Sequence, residues 1–142
     1  MRSNFGWGCA ITSGTGFVIE AVGGLLHKGD LFFQLAHETM YLAFFVVGII
    51  AIMEARGRMP DDSWRFAMSV GFFVEGVVFY GHGLEQEGIE QMLHFIMVML
   101  SWFTALSYLI ACIYPRKMLP HVMGAAGMFT KGMWFFIIAH IL

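Results

Sequence analysis

The stretch "LFFQLAHETMYLAFFVVGIIAIM", residues 31–53, contains one acidic residue, Glu38, and neither lysine nor arginine. An α-helix of about 20 mostly apolar residues crosses the roughly 30 Å hydrocarbon core of a bilayer. The whole chain has 142 residues and is 58% hydrophobic but only 13% charged, whereas soluble domains carry about 25% charged residues. A chain this short cannot bury such an apolar excess in a core of its own. The composition therefore predicts a polytopic membrane protein.

Four further apolar segments flank this one, at residues 9–26, 65–82, 89–114 and 121–142. The polar stretches "EARGRMPDDSW", "GLEQEG" and "PRKMLP" lie between segments and contain proline or glycine, which favour turns. The first segment is rich in glycine, so it suits close contact with another helix better than contact with lipid. We expect an all-α fold: a polytopic transmembrane helix bundle of about five membrane-spanning helices, forming a single domain over residues 1–142.

Lysine and arginine in the short connections indicate the orientation, because they concentrate on the cytoplasmic side of membrane proteins. Their distribution predicts a cytoplasmic N-terminus and a lumenal or extracellular C-terminus, in an endomembrane or the plasma membrane. No basic stripe indicates nucleic acid. The expected partners are the lipid bilayer and either further copies of the chain or a larger membrane complex. One side holds Arg2, Arg56, Arg58, Arg65, Arg116 and Lys117, and the other holds Lys28.

Ionisable residues inside apolar segments face the interior of a bundle, where they pair or serve a function. At about 1.5 Å per residue, Glu20, Glu75 and Lys131 each lie near the membrane midplane. An unpaired carboxylate at that depth would take up a proton. We therefore expect Glu75 to lie within reach of Lys131 or of the helix that carries Glu20. Two interpretations remain open: a polar clamp between helices, or a carboxylate that lines a cavity open to the lumenal side.

Histidines concentrate toward the predicted lumenal side, and His37 has the acidic Glu38 beside it. We expect His37, His82 and His94 to lie close enough to share a ligand, a metal ion or a water network, with His140 as a further candidate. Two imidazoles on different helices are typical axial ligands of haem. Three histidines with an open position could hold zinc and activate water. Alternatively, these are interfacial side chains with no ligand.

Four stretches together resemble the transmembrane protein 45 family, plant and animal multi-pass membrane proteins of unknown activity. The resemblance covers residues 15–142 and implies that the five segments correspond to the second to sixth helices of a seven-helix protein. Lys131 stands where the family pattern leads us to expect glutamine. The stretches are "HETMYLAFFVVGIIAIME" from His37, "FFVEGVVFYGHG" from Phe72, "QMLHFIMVML" from Gln91 and "KGMWFFIIAHIL" from Lys131.

Three functional hypotheses follow from the sequence. The first is a membrane protein with a lumenal pocket, lined by histidine and glutamate, that binds a metal or small ligand; the family resemblance implies a role in endomembrane trafficking or defence. The second is an intramembrane metal-dependent enzyme that modifies lipid. The third is a structural or accessory subunit whose polar residues join helices and bind no ligand.

Overall fold

A computed structural model describes residues 2–26 and 31–141, which form five α-helices. They are α1 (Arg2–Leu26), α2 (Leu31–Ala55), α3 (Ser63–Gly83), α4 (Gly88–Ile113) and α5 (Met118–Ile141). The expected all-α fold is confirmed. By length and apolar composition, two of the described helices could cross a membrane, over Gln34–Ala55 and Gly88–Ile113. The crossing of the other three helices stays a prediction.

The predicted helix boundaries are accurate to a few residues, except at α1, which begins at Arg2 rather than at residue 9. Proline explains two further boundaries. Pro120 lies within the first turn of α5, where its missing N–H would have no partner in any case, so the helix starts before it. α4 ends at Ile113 because the next residue, Tyr114, precedes Pro115 and leaves the helical conformation at φ −122°.

The chain divides into two compact units, Met1–Gly71 and Phe72–Leu142. In the first unit α1 and α2 pack closely because glycine faces backbone. A Cβ added at Gly48 would lie 2.6 Å from the Ala10 backbone nitrogen, and one at Gly6 would lie 2.9 Å from the Ile52 Cγ1 atom. A Cβ added at Gly16, inside the predicted first segment, would meet the Tyr41 ring, in agreement with the expectation that the small residues of this segment serve close helix packing. The expectation of a single domain stays a prediction.

The turn between α2 and α3 is held by a buried carboxylate. Glu54, near the end of α2, is 6% exposed. It accepts hydrogen bonds from the backbone N–H groups of Asp62, at 3.2 Å, and of Trp64, at 2.8 Å. These donors lie at the start of α3, where the first N–H groups of a helix have no partner within the helix and a negative charge is favourable.

In the second unit the end of α3 joins α4 and α5. The most deeply buried side chains come from α4 and include Met97, Val98 and Thr104. On α5, a Cβ added at Gly127 would meet the Thr104 hydroxyl. The small residues of α5 therefore bring its backbone close to the polar side chains of α4.

Candidate functional site

Three polar side chains meet inside the second unit: Glu75 on α3, Ser101 on α4 and Lys131 on α5, hereafter the Glu75 cluster. Their exposed fractions are 5%, 0% and 3%, respectively. The Lys131 ammonium contacts Glu75 Oε2 directly and lies 2.9 Å from Ser101 Oγ. The contact between Glu75 and Lys131 that their equal predicted depth suggested is therefore present, and Ser101 extends it to a third helix.

The hydrogen-bond distances indicate which groups of the cluster donate. A serine hydroxyl has one proton to donate, and Ser101 Oγ lies 2.8 Å from the Met97 carbonyl oxygen but 3.4 Å from Glu75 Oε2. Ser101 therefore donates chiefly to Met97 and accepts from Lys131. The Phe72 ring, whose centroid lies 4.6 Å from Lys131 Nζ, covers another side of the ammonium through a cation–π contact. The buried lysine is thus surrounded by groups that favour its charged form.

This arrangement differs from the serine–lysine pair of a nucleophilic enzyme. A lysine that activates serine must accept the hydroxyl proton, and the serine must reach a substrate. Here Lys131 donates to Glu75 and to Ser101, and the Ser101 hydroxyl donates to the Met97 carbonyl. Ser101 is also fully buried. The geometry supports a contact that holds three helices together.

A second polar group in the same unit consists of His82, in the last turn of α3, and His94, near the start of α4, hereafter the histidine pair. Their ring centroids lie 4.8 Å apart, edge to face. His94 Nδ1 lies 2.7 Å from the Glu90 carbonyl oxygen. Porphyrin bound by two axial imidazoles lies between them, so the direct contact of these rings is incompatible with haem bound by this pair.

His37 lies in the first unit, where its Nδ1 atom is 3.3 Å from Glu20 Oε1. Gln34 on α2 donates a hydrogen bond of 3.2 Å to the Glu20 backbone oxygen, so α1 and α2 also share polar contacts. Both Glu20 and Glu38 are half-buried. The expected meeting of His37 with the histidine pair stays a prediction, and the His140 side chain lies outside the described residues.

The expected polar pocket lined by histidine and glutamate finds no support in the described residues. A groove of about 560 Å³ follows α4 and is lined chiefly by apolar side chains between Gly88 and Phe103, with none of the candidate histidines among them. Over residues 3–24 and 34–137, whose side chains are described, no group of three or more His, Cys, Asp or Glu could hold a metal ion. A zinc site with three protein ligands therefore has no geometric support there.

Two residues with clear roles were not singled out from the sequence. Ser101 lies in a strongly apolar helix, and a serine there is ordinarily read as a small packing residue that bonds back to its own helix. Glu54 falls at the edge of a charged turn, where a solvent-exposed carboxylate is expected. In both cases the role depends on a partner in another helix. The lysine that contacts Ser101 lies 30 residues away, and the backbone donors to Glu54 lie beyond a turn, eight and ten residues away.

The family model with the description "Family of unknown function (DUF716)" matches residues 61–142. This range covers more than half of the chain and contains both the Glu75 cluster and the histidine pair. No solved structure matches the chain significantly. The chain therefore belongs to DUF716, a family whose function is unknown.

Proposed function

We propose that this protein is a multi-pass integral membrane protein with five membrane-spanning helices, as its resemblance to the transmembrane protein 45 family implies. Its role is that of a non-catalytic scaffold or accessory subunit in an endomembrane or the plasma membrane, with a cytoplasmic N-terminus. Its partners are the lipid bilayer and either further copies of the chain or other membrane subunits.

Exposed apolar side chains on every helix support the membrane assignment. Large exposed apolar surfaces on a protein mark contact with lipid or with a partner. The examples include Phe129, 71% exposed, and Met99, 65% exposed. Each helix contributes at least one such side chain: Ile19 on α1, Leu42 on α2, Phe73 on α3, Met99 on α4 and Phe129 on α5.

The proposal for the role depends on one observation, the burial of the Glu75 cluster. Lipid is as apolar as leucine, so packing of small residues and polar contacts between helices, rather than the hydrophobic effect, drive helix association in a bilayer. Pairing also lowers the cost of placing the charges of α3 and α5 in hydrocarbon. The same pairing supports the proposed crossing by α3 and α5, each of which carries one charged residue within its apolar stretch.

A topology measurement tests whether α3 crosses between α2 and α4, as five crossings require. Single cysteines are introduced by Arg58→Cys, Glu85→Cys and Lys117→Cys into a chain that lacks Cys9 and Cys112, and sealed vesicles are labelled with an impermeant maleimide. Arg58 serves better than the neighbouring Gly57, whose φ of +68° strains any other residue.

Five crossings place positions 58 and 117 on one side and position 85 on the other. If only α2 and α4 cross, positions 58 and 85 share a side and position 117 lies opposite. The second pattern would refute the five-span arrangement. The parent without cysteines is the control for background labelling.

The non-catalytic role is tested with a fluorophosphonate probe, which forms a bond to activated serine and to few other groups. We expect no labelling of Ser101 in the purified protein, because its hydroxyl is buried and hydrogen-bonded. Labelling that disappears in Ser101→Ala would show an activated nucleophile and would overturn the scaffold assignment.

A further inference from the structure

We propose that the histidine pair binds one divalent transition-metal ion of the zinc class at the end of the second unit where α3 connects to α4. This inference goes beyond the scaffold role and does not depend on how many helices cross the membrane. It depends on the separation of two imidazoles supplied by consecutive helices and on the hydrogen bond of one of them, His94.

The hydrogen bond of His94 determines which of its nitrogens is available to a metal. A carbonyl oxygen only accepts, so His94 Nδ1, 2.7 Å from the Glu90 carbonyl oxygen, carries the proton. The neutral ring then has its lone pair on Nε2. Metal-binding histidines almost always donate their other N–H to a carbonyl or carboxylate, which fixes the tautomer and the orientation of the ring. His94 has this arrangement.

The separation of the rings suits a shared ion. With metal–nitrogen bonds of about 2.0–2.1 Å and tetrahedral angles, the centres of two imidazoles bound to one ion lie roughly 5 Å apart. The centroids of His82 and His94 are 4.8 Å apart. Neutral imidazole nitrogen is a ligand that zinc, copper and nickel accept.

The surroundings hold the pair in place and favour a cation. A Cβ added at Gly83 would lie 3.0 Å from His94 Cβ, so the end of α3 closely approaches α4. Phe79 packs beside His94, with ring centroids 6.2 Å apart. The connection after α3 carries Glu85 and Glu87, whose negative charges raise the local concentration of cations. Two protein ligands leave the other coordination positions to water, as in exchangeable rather than structural zinc sites.

The alternative is an imidazole pair that packs edge to face without any metal. The two cases are distinguished by titrating the full chain, purified in detergent without a histidine tag, with Zn²⁺ in competition with a chromogenic chelator. We expect one Zn²⁺ per chain. His82→Gln and His94→Gln should each weaken binding by at least about 100-fold, since even loss of an outer hydrogen-bond partner costs 10–100-fold.

His121→Gln is the matched control. His121 is also half-buried, and its Nε2 atom also lies close to a carbonyl oxygen, that of Pro115 at 3.0 Å. It lies near the start of α5, however, and on neither of the helices that carry the histidine pair. Its loss should leave Zn²⁺ affinity unchanged. Equal weakening in His121→Gln, or undiminished binding in the double variant His82→Gln/His94→Gln, would overturn the proposal.

A measurement on the unaltered protein guards against misfolded variants. Ring ¹⁵N chemical shifts report metal binding at each histidine nitrogen, and we expect the Nε2 resonance of His94 to move on addition of one equivalent of Zn²⁺. A protein that binds no Zn²⁺, or binds it without a change at His94, refutes the site.

Discussion

The Glu75 cluster predicts that Lys131→Met destabilises the protein and that acid relieves the effect. The substitution leaves Glu75 buried, and among the described side chains only Ser101 is then near enough to donate, at 3.4 Å. The carboxylate must then either stay charged without a counter-ion or take a proton from water. A glutamate of reference pKa about 4.3 takes up a proton at a cost of about 1.4 kcal/mol per pH unit, or about 4 kcal/mol at pH 7. This value agrees with the 3–5 kcal/mol typical of breaking a buried pair.

The opposite substitution, Glu75→Gln, should be milder and should show the reverse pH dependence. Lys131 keeps Ser101 Oγ at 2.9 Å, the Phe72 ring and the new amide oxygen as partners for its charge, so we expect roughly half the cost at pH 7. Neutralising the lysine becomes easier as pH rises toward its reference pKa of about 10.4. The loss in free energy of unfolding caused by Lys131→Met should therefore fall from about 4 kcal/mol at pH 7 to about 1 kcal/mol at pH 5. The loss caused by Glu75→Gln should instead fall as the pH becomes alkaline.

The assay is thermal unfolding in a mild detergent at pH 5, 7 and 9, and the double variant Glu75→Gln/Lys131→Met completes the cycle. At about 2–4 °C per kcal/mol, Lys131→Met should melt roughly 10 °C below the parent at pH 7. The double variant has no unpaired charge, so it should be more stable than Lys131→Met and insensitive to pH over this range. Parallel pH profiles for the two single variants, or a double variant no better than Lys131→Met, would show that the pair contributes nothing as an ion pair.

Three further predictions concern packing and capping, each read out by thermal unfolding. Glu54→Ala should lower the free energy of unfolding by about 2–3 kcal/mol, because two backbone donors lose a charged acceptor. Glu54→Gln keeps one acceptor oxygen and should lower it less. Equal melting temperatures of the parent and these two variants would contradict the capping role. Gly48→Leu should cost at least about 3 kcal/mol because the added side chain meets the Ala10 backbone, which cannot move aside, whereas Gly23→Ala, with nothing within 4 Å of its Cβ, should be neutral or stabilising. Ser101→Ala should cost only about 1 kcal/mol, since the ion pair remains; a loss as large as that of Lys131→Met would make the serine the principal partner.

The helical fold follows from the sequence because its determinants are local. Blocks of apolar residues separated by short polar stretches predict helices and their approximate ends, since each helix satisfies its own backbone hydrogen bonds. The errors occur where non-local packing or a special position matters. α1 extends back to Arg2, and Gly6 in this added turn packs against Ile52 of α2. α5 starts ahead of Pro120, because proline disrupts only a helix interior.

The contacts of the candidate site depend on the depth of each residue along its helix and on the rotation of that helix about its axis. Only the depth can be predicted from the sequence. Position along an apolar segment gives the predicted depth at about 1.5 Å per residue. Depth limits the expected partners of Glu75 to Lys131 and the helix that carries Glu20, and the structure has the contact with Lys131. Depth does not give the rotation of each helix about its axis, which decides the neighbours of uncharged groups. Ser101 joins the pair and His82 meets His94 only because α4 turns both residues toward α3. Once one buried contact fixes that rotation, the others follow: Ser101 and His94 lie seven residues apart on α4, close to two helical turns of 3.6 residues, and therefore share a face. The ion pair between Glu75 and Lys131 therefore also sets the orientation of the histidine pair. We expect Lys131→Met to weaken Zn²⁺ binding at neutral pH. The double variant Glu75→Gln/Lys131→Met, which has no unpaired charge, should restore it. Zn²⁺ affinity that is unaffected by Lys131→Met would show that the α3–α4 connection orients the histidines without help from the buried pair.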